Sequence, residues 1–461
     1  MLDEEKDTYV FKENSEKEVE RFVGIDTYAT AGIDGIGGKY KTHFKDFIVK
    51  EIVENGRVLN LKEDSTNSVF SEDLKDRFTT FNLVKVNMDT FKAVKTITKT
   101  LKIPYESINY SGLKDKQSIS VQRISIKGNY IKQLRNLKLH DIFIRNIYPT
   151  RKPVKLGSHF GNNFTVVIRD IEKSKNLSTN IERINKFLTD FGFPNYFGLQ
   201  RFGSIRPSSH IVGQFLLNKD FKNAFNEYVV NTYSTEPDIS RKARDNLKKE
   251  RNFEEALKNF PLGLNYERRM IEYLINNPDD YYGAIHTLSF DLRRLLVSSF
   301  QSFLFNKMLS LRIKKGLHLF KPLSGDVISI LDDFNGNITP VTYTYGGLYD
   351  RYLDEALELN RASIVLPIIG KLTNLDDFPL MGSIFKEIAK KEGISDDIFK
   401  SGIGTKDEFK GSIRAMTVKP RDLSMIELSE DDLYREKMKI KIEFSLQKGS
   451  YATILIREII K

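Results

Sequence analysis

The spacing of apolar residues in the first part of the chain switches repeatedly between a strand period and a helix period. Residues 41–52 predict a strand with Phe47 and Val49 on one face and Ile48 and Lys50 on the other. Residues 81–86 are β-prone again and end at Asn87-Met88-Asp89. There Asp89 or Thr90 can cap a helix carrying Phe91, Val94, Ile97 and Leu101, which Pro104 stops. Residues 107–111 form a short β-prone run, 119–126 resume alternation and 164–168 read as a strand. Residues 181–191 predict a helix with Ile184, Phe187, Leu188 and Phe191 on its apolar face. Beyond Gly203 the pattern turns to long helical segments. Residues 240–260 are dominated by charge, whereas 291–312 show Leu292, Leu296, Phe300, Phe303 and Leu304 in a broad buried stripe. Residues 322–344 and 364–372 are β-rich, 413–418 predict a strand, and the chain ends in a predicted hairpin of 439–446 and 452–460. The charged first 24 or so residues predict an arm or a peripheral strand and helix.

This β-α-β order delivers the loop Ser111-Gly112-Leu113-Lys114-Asp115-Lys116-Gln117-Ser118 at the end of a strand. Loops on rigid scaffolds are where catalytic groups concentrate. Asp115 stands between two lysines, and nearby cations favour the charged carboxylate. Taken alone, Lys-Asp-Lys in a glycine-containing loop is more often a solvated turn.

Charge distribution sharpens the picture. The 461 residues carry a formal net charge of +10 and are long enough for two domains. Between Lys85 and Lys155 there are 16 Lys+Arg against 4 Asp+Glu, an excess larger than that of the whole chain, and Asp115 lies inside it. Such a stretch fits a polyanionic partner whose binding weakens with salt. Tryptophan is absent, but 32 Phe and 20 Tyr supply rings for stacking an unpaired base. Cysteine is also absent, which excludes disulfides and thiolate metal sites. The 6 histidines are scattered without metal-ligand spacing, so no metal is expected. No signal peptide and no apolar run near the roughly 20 residues of a membrane span is found, so a cytoplasmic protein without a membrane partner is expected.

A second segment, Asn195-Tyr196-Phe197-Gly198-Leu199-Gln200-Arg201-Phe202-Gly203, makes the resemblance specific. Together with Gly112-Leu113-Lys114-Asp115 it resembles the TruD family of tRNA pseudouridine synthases. Three further stretches match in order: Lys41 with Asp46-Phe47-Ile48-Val49-Lys50-Glu51, then Gly161-Asn162-Asn163-Phe164, then 444–453. The resemblance implies an α+β fold, a mixed and largely antiparallel sheet flanked by helices. It further implies a discontinuous catalytic domain, 1–203 with 412–461, interrupted by an inserted α+β domain at 204–411. It implies a uridine isomerase acting on tRNA, best known at U13, or on other structured RNA, with no cofactor. A monomer is expected.

By the same resemblance Asp115 is the nucleophile and Lys41 its ion-pair partner, while Phe47 lines the uracil pocket. Asn162 is expected either to meet the uracil edge through its amide or to orient the catalytic loop, and Phe164 to stack on the base. Glu51 is expected either as an ordinary polar-face residue or as the partner of a cation such as Lys41 or Arg201, and Arg201 to bind the aspartate loop or phosphate. Lys114, Lys116, Arg123, Lys127, Arg151 and Lys152 are the candidates for RNA contacts. The chain departs from the family pattern at Gln447, where proline is frequent, and at Gln117-Ser118, near which Arg-Ala is frequent. Those changes bear on loop rigidity, not on the reaction type. Two other readings are a non-catalytic RNA-binding or RNA-chaperone protein on the same fold, and a metal-dependent nuclease. The latter lacks the clustered carboxylates or histidines it needs.

Overall fold

The computed structural model describes residues 8–9, 16–63, 77–332, 337–395, 398–401 and 409–461. The chain divides into two compact units, Thr30–Phe193 with Val418–Lys461 and Met1–Ala29 with Pro194–Thr417. These borders, after Phe193 and after Thr417, lie ten and six residues from those read from the sequence, and Met1–Ala29 groups with the second unit. Of the N-terminal arm, the strand Thr8–Tyr9 and the helix Glu16–Phe22 are described, and the remainder lies outside the described residues.

The unit built from Thr30–Phe193 and Val418–Lys461 centres on a nine-stranded sheet. Its main strands are β1 (Phe47–Ile52), β2 (Phe78–Val86), β3 (Ile108–Tyr110), β4 (Ile119–Lys127), β5 (Ile142–Thr150), β6 (Gly161–Ile171), β7 (Arg421–Glu430) and β8 (Met438–Gln447). They run in the order β7-β8-β6-β1-β4-β2-β5, with β3 pairing β4 and the short strand Lys39–Tyr40 pairing β6. Only β1 and β4 are parallel within this sheet; its other pairs are antiparallel. The mixed α+β class expected from the resemblance is therefore the observed one.

The helix α1 (Thr90–Leu101) follows β2 because Asp89 Oδ1 accepts the Lys92 N–H at 2.8 Å, a cap contributing about 1 kcal/mol. It stops where Lys102 turns left-handed, at φ 54°. Its inner face buries Ala93, Val94 and Ile97 against Phe81 and Leu83 of β2 and Ile124 and Ile126 of β4. Phe91, which the spacing put on that face, is 52% exposed and meets Tyr110 edge-on.

Two expectations are corrected. Strand β1 starts at Phe47, not at Lys41, because Phe44–Asp46 forms a single 3-10 turn. In that turn the Asp46 carboxylate accepts the His43 N–H at 2.9 Å and the Arg169 Nε–H at 3.0 Å. The C-terminal hairpin is instead a strand followed by a helix, α2 (Ala452–Ile460). Ile454, Leu455, Ile456 and Ile459 are all buried there, so the run shows no polar face from which its period could be read. Glu458 on this helix accepts from both the backbone N–H and the hydroxyl of Thr30, tying the two ends of the unit together.

The unit formed by Met1–Ala29 and Pro194–Thr417 is mostly helical. Its charged 240–260 segment is two helices, Asp238–Glu250 and Phe253–Asn259, separated by Arg251 at φ 50° and capped by Asn252. The long helix Phe290–Lys314 buries Leu296, Phe300, Leu304 and Met308. It packs closely on Ser209–Leu217, where a Cβ at Gly213 would lie 2.2 Å from the Leu296 carbonyl oxygen. A four-stranded antiparallel sheet runs in the order Ile338–Thr344, Val327–Leu331, Ala362–Ile368, Ser412–Ala415.

Arg312 joins these layers through Asp326: its Nη2 donates to Oδ2 at 2.7 Å, and both side chains are fully buried. Removing one member of such a pair strands the other charge. Arg312→Met is therefore expected to cost about 3–5 kcal/mol in denaturant unfolding, and Arg312→Met with Asp326→Leu to recover most of that loss.

Candidate active site

The Asp115 loop begins at the end of β3 and returns into β4. Its tip faces Lys41, whose Nζ donates to Asp115 Oδ2 at 2.7 Å with the two side chains 17% and 30% exposed. The same ammonium sits 4.3 Å from the centroid of the Phe47 ring, the first residue of β1. Lys41 itself has φ 58°, a left-handed backbone that lysine seldom adopts and that costs on the order of 1 kcal/mol. Its carbonyl accepts the Gln117 side-chain N–H at 2.6 Å, so the loop carrying the carboxylate also holds the backbone carrying the cation.

Beneath the loop lies a residue that sequence reasoning missed. Lys85, from β2, is fully buried, and its Nζ donates to the carbonyl of Asp115 at 2.7 Å and to that of Met88 at 2.6 Å. Burial pushes the Lys85 ammonium down from 10.5 to about 8, opposed by the nearby Asp115 charge. The Ser118 hydroxyl donates to the same Asp115 carbonyl at 2.7 Å. Gln117 and Ser118, where the chain departs from the family pattern, thus both tie the loop down. The only local signal for Lys85 is its place between Val84 and Val86 in a β-prone run, which does not set it apart from the other basic residues of 85–155.

Glu51 does not pair with Lys41 or Arg201 as expected. Its carboxylate meets Lys114 Nζ at 2.8 Å, with side chains 1% and 2% exposed, and accepts from the Ser111 hydroxyl at 2.6 Å and the Arg123 N–H at 3.0 Å. Lys114 is therefore withdrawn from the set of RNA-contacting cations, because its ammonium is enclosed and neutralised. The pair braces the first half of the loop, while Lys114 N–H donates to Thr90 Oγ1 and binds that half to the start of α1.

Behind Lys41 the rings form a buried ladder. Phe47 and Phe164 are edge-to-face at 5.9 Å, and Phe164 stacks on Phe444 at 5.3 Å. One face of Phe164 is thus already covered by a protein ring. Asn162, two residues before Phe164 on β6, is half-buried, and its Oδ1 is enclosed without a hydrogen-bond partner among the described residues.

Of the remaining cations, Lys116, Lys127, Arg151 and Lys152 are exposed and Arg123 is half-buried. Arg201 belongs to the other unit, where its guanidinium donates to Ser302 at 3.1 Å and Ser298 at 2.9 Å. Among the described residues no group of three His, Cys, Asp or Glu could hold a metal ion. Among the described residues no helix is long and apolar enough to cross a membrane.

Known proteins resemble the chain over nearly its whole length. Residues 22–459 match the family model described as tRNA pseudouridine synthase D (TruD). The chain is 33% identical over 449 residues to a protein of Methanosarcina acetivorans named "Probable tRNA pseudouridine synthase D", covering 96% of this chain and 97% of that one. A Thermococcus sibiricus protein of the same name is 33% identical, with 93% and 96% covered. A solved structure from Methanosarcina mazei, named for tRNA pseudouridine synthase D (TruD), superposes with a TM-score of 0.77 at 31% identity, covering 96% of this chain and 98% of that one.

The buried position of Lys85 has a pH signature. Between about 8 and 10.5 the unfolded chain binds the proton that the folded chain releases, so the stability contributed by this residue rises with pH. It is complete above the unfolded value and lost as pH falls through about 8. The difference in unfolding free energy between wild type and Lys85→Met, measured in denaturant at pH 7.5 and pH 10.5, is expected to grow by up to a few kcal/mol. A flat difference would contradict a buried ammonium at this position.

Proposed function

The chain belongs to the tRNA pseudouridine synthase D (TruD) family, and on that premise we propose that it converts U13 of tRNA to pseudouridine with Asp115 as the nucleophile. The observation that carries this reading is the Lys41–Asp115 ion pair, poised over Phe47 and partly open to solvent. The reaction breaks the N1–C1′ glycosidic bond, turns the uracil and rejoins it through C5. It calls for an ionised carboxylate beside the ribose and base, a cation to orient it, and exclusion of water from the detached base.

Asp115 serves as that carboxylate, either attacking carbon or removing the C2′ proton. Lys41 holds it in register. Phe47 and Phe164 form the apolar wall that keeps the free uracil from escaping. The partnerless Asn162 Oδ1 can accept the N3–H of uracil, which explains why an enclosed acceptor is left open there. The catalytic domain is the unit of Thr30–Phe193 with Val418–Lys461, and Pro194–Thr417 interrupts it as an insertion. The target uridine must be flipped out of structured RNA, at a cost of a few kcal/mol offset by phosphate contacts to the exposed cations. The enzyme acts in the cytoplasm as a monomer without a cofactor.

Pseudouridine mapping by carbodiimide labelling and primer extension on unmodified tRNA transcripts tests this reading. Wild type is expected to give one stop, at U13, and Asp115→Asn to lose at least about a hundredfold in rate while still binding tRNA. Salt-sensitive binding with no stop on any tRNA would favour a binding-only protein on this fold. A stop that survives in Asp115→Asn would remove Asp115 from the chemistry.

A further inference from the structure

Next to the Asp115 loop is a cavity of about 510 Å³ that the chemistry at Asp115 does not use. Its lining includes Glu51 and Ser111, Arg123 from β4, Tyr148 from β5, and Arg151 and His159 from the segment joining β5 to β6. That segment lies directly on the loop: Gly157 N–H donates to the Ser111 carbonyl at 2.7 Å. At Gly112 a Cβ would come within 3.1 Å of His159 Cε1.

Two observations point to a missing ligand. Arg123 Nε and His159 Nδ1 are buried with no hydrogen-bond partner among the described residues. Enclosed donors and acceptors are almost always satisfied, and one left open costs about 1–3 kcal/mol, so a cavity that keeps two is built to receive something polar. The local charge specifies its sign. Arg123 and Arg151 form no ion pair among the described residues, and Glu51 is neutralised by Lys114. Burial, followed by the Lys114 charge, pushes the His159 imidazole down, against the Glu51 charge and a hydrogen bond to the Ser111 backbone.

We propose that this cavity is a second nucleotide subsite, which takes a phosphodiester-linked nucleotide of the RNA other than the target uridine, with Arg123 and Arg151 on the phosphate and Tyr148 and His159 against the base. The volume lies within the roughly 300–1,000 Å³ of small-molecule sites and is many times the roughly 30 Å³ that one water takes. Its position also fits. Glu51, on the cavity wall, and Phe47, beneath Lys41, lie on the same side of β1 four residues apart, about 13 Å along the strand. A neighbouring nucleotide held there would anchor the strand while the target uridine is out of its stack. The subsite rests on the reading of the chain as an RNA-modifying enzyme, but not on Asp115 being the nucleophile.

Arginine labelling separates the two claims, because it requires no turnover. Wild-type protein is treated with phenylglyoxal alone, with unmodified tRNA, or with inorganic phosphate at the same phosphate concentration, and modification is read by mass spectrometry. The expected result is protection of Arg123 and Arg151 by tRNA but not by phosphate, with Arg135, an exposed arginine outside the cavity, labelled equally in all three. Anisotropy with the same tRNA should then show Arg123→Gln with Arg151→Ala binding about tenfold or more weakly, the scale of hydrogen bonds to charged groups. The salt slope of log K should flatten by about 0.7–0.9 per phosphate lost. Equal protection by phosphate would make this a free-anion site, and no protection by tRNA or an unchanged affinity would overturn the subsite.

Discussion

The position of the Asp115 carboxylate depends on a buried ammonium. Lys85 reaches up from near the end of β2 to hold the Asp115 carbonyl, and no solvent shares that contact. Removing a lysine from water costs several kcal/mol, which its two carbonyl acceptors and the nearby carboxylate must offset. The result is a loop fixed from below through its backbone, leaving the acidic side chain on top to meet something else. Without such an anchor, a loop containing Gly112 and three successive charged residues would sample many conformations, and the entropy of ordering it would fall on the substrate.

Two lysine–carboxylate pairs flank this anchor in different environments. Glu51–Lys114 is almost completely enclosed and has its remaining valences filled by Ser111 and the Arg123 backbone, as a structural ion pair requires. Lys41–Asp115 is partly open, with one carboxylate oxygen directed at the cation. Neighbours in sequence, Lys114 and Asp115 thus turn opposite ways, one into the protein to brace and one outward to a partly open ion pair. The strained backbone at Lys41, held by Gln117, belongs to the same device, because it brings the cation to the carboxylate from outside the strand.

The basic stretch that marked this region has the same double character. Lys85 and Lys114 are interior, Arg123 is half-buried beside a cavity, and Lys116, Lys127, Arg151 and Lys152 face solvent. Only the outward members add to the field that attracts a polyanion at long range. The inward ones spend their charge on the geometry of the loop.

Much of this was legible in the chain itself. Strand and helix periods around residues 47, 90 and 119, the cap at Asp89, the Lys-Asp-Lys loop and the ordered motifs depend on local spacing and residue type, and these are properties of sequence. What spacing could not supply was direction and enclosure. The segment 452–460 reads as a strand because its β-branched residues show no polar face, yet it is a helix buried all round. Likewise Glu51 was expected on a polar face or beside a cation such as Lys41 or Arg201, Lys114 against RNA, and Lys85 had no role at all. A charge on a chain has no environment until strands distant in sequence close around it, and only that closure decided which lysines carry the loop and which face solvent.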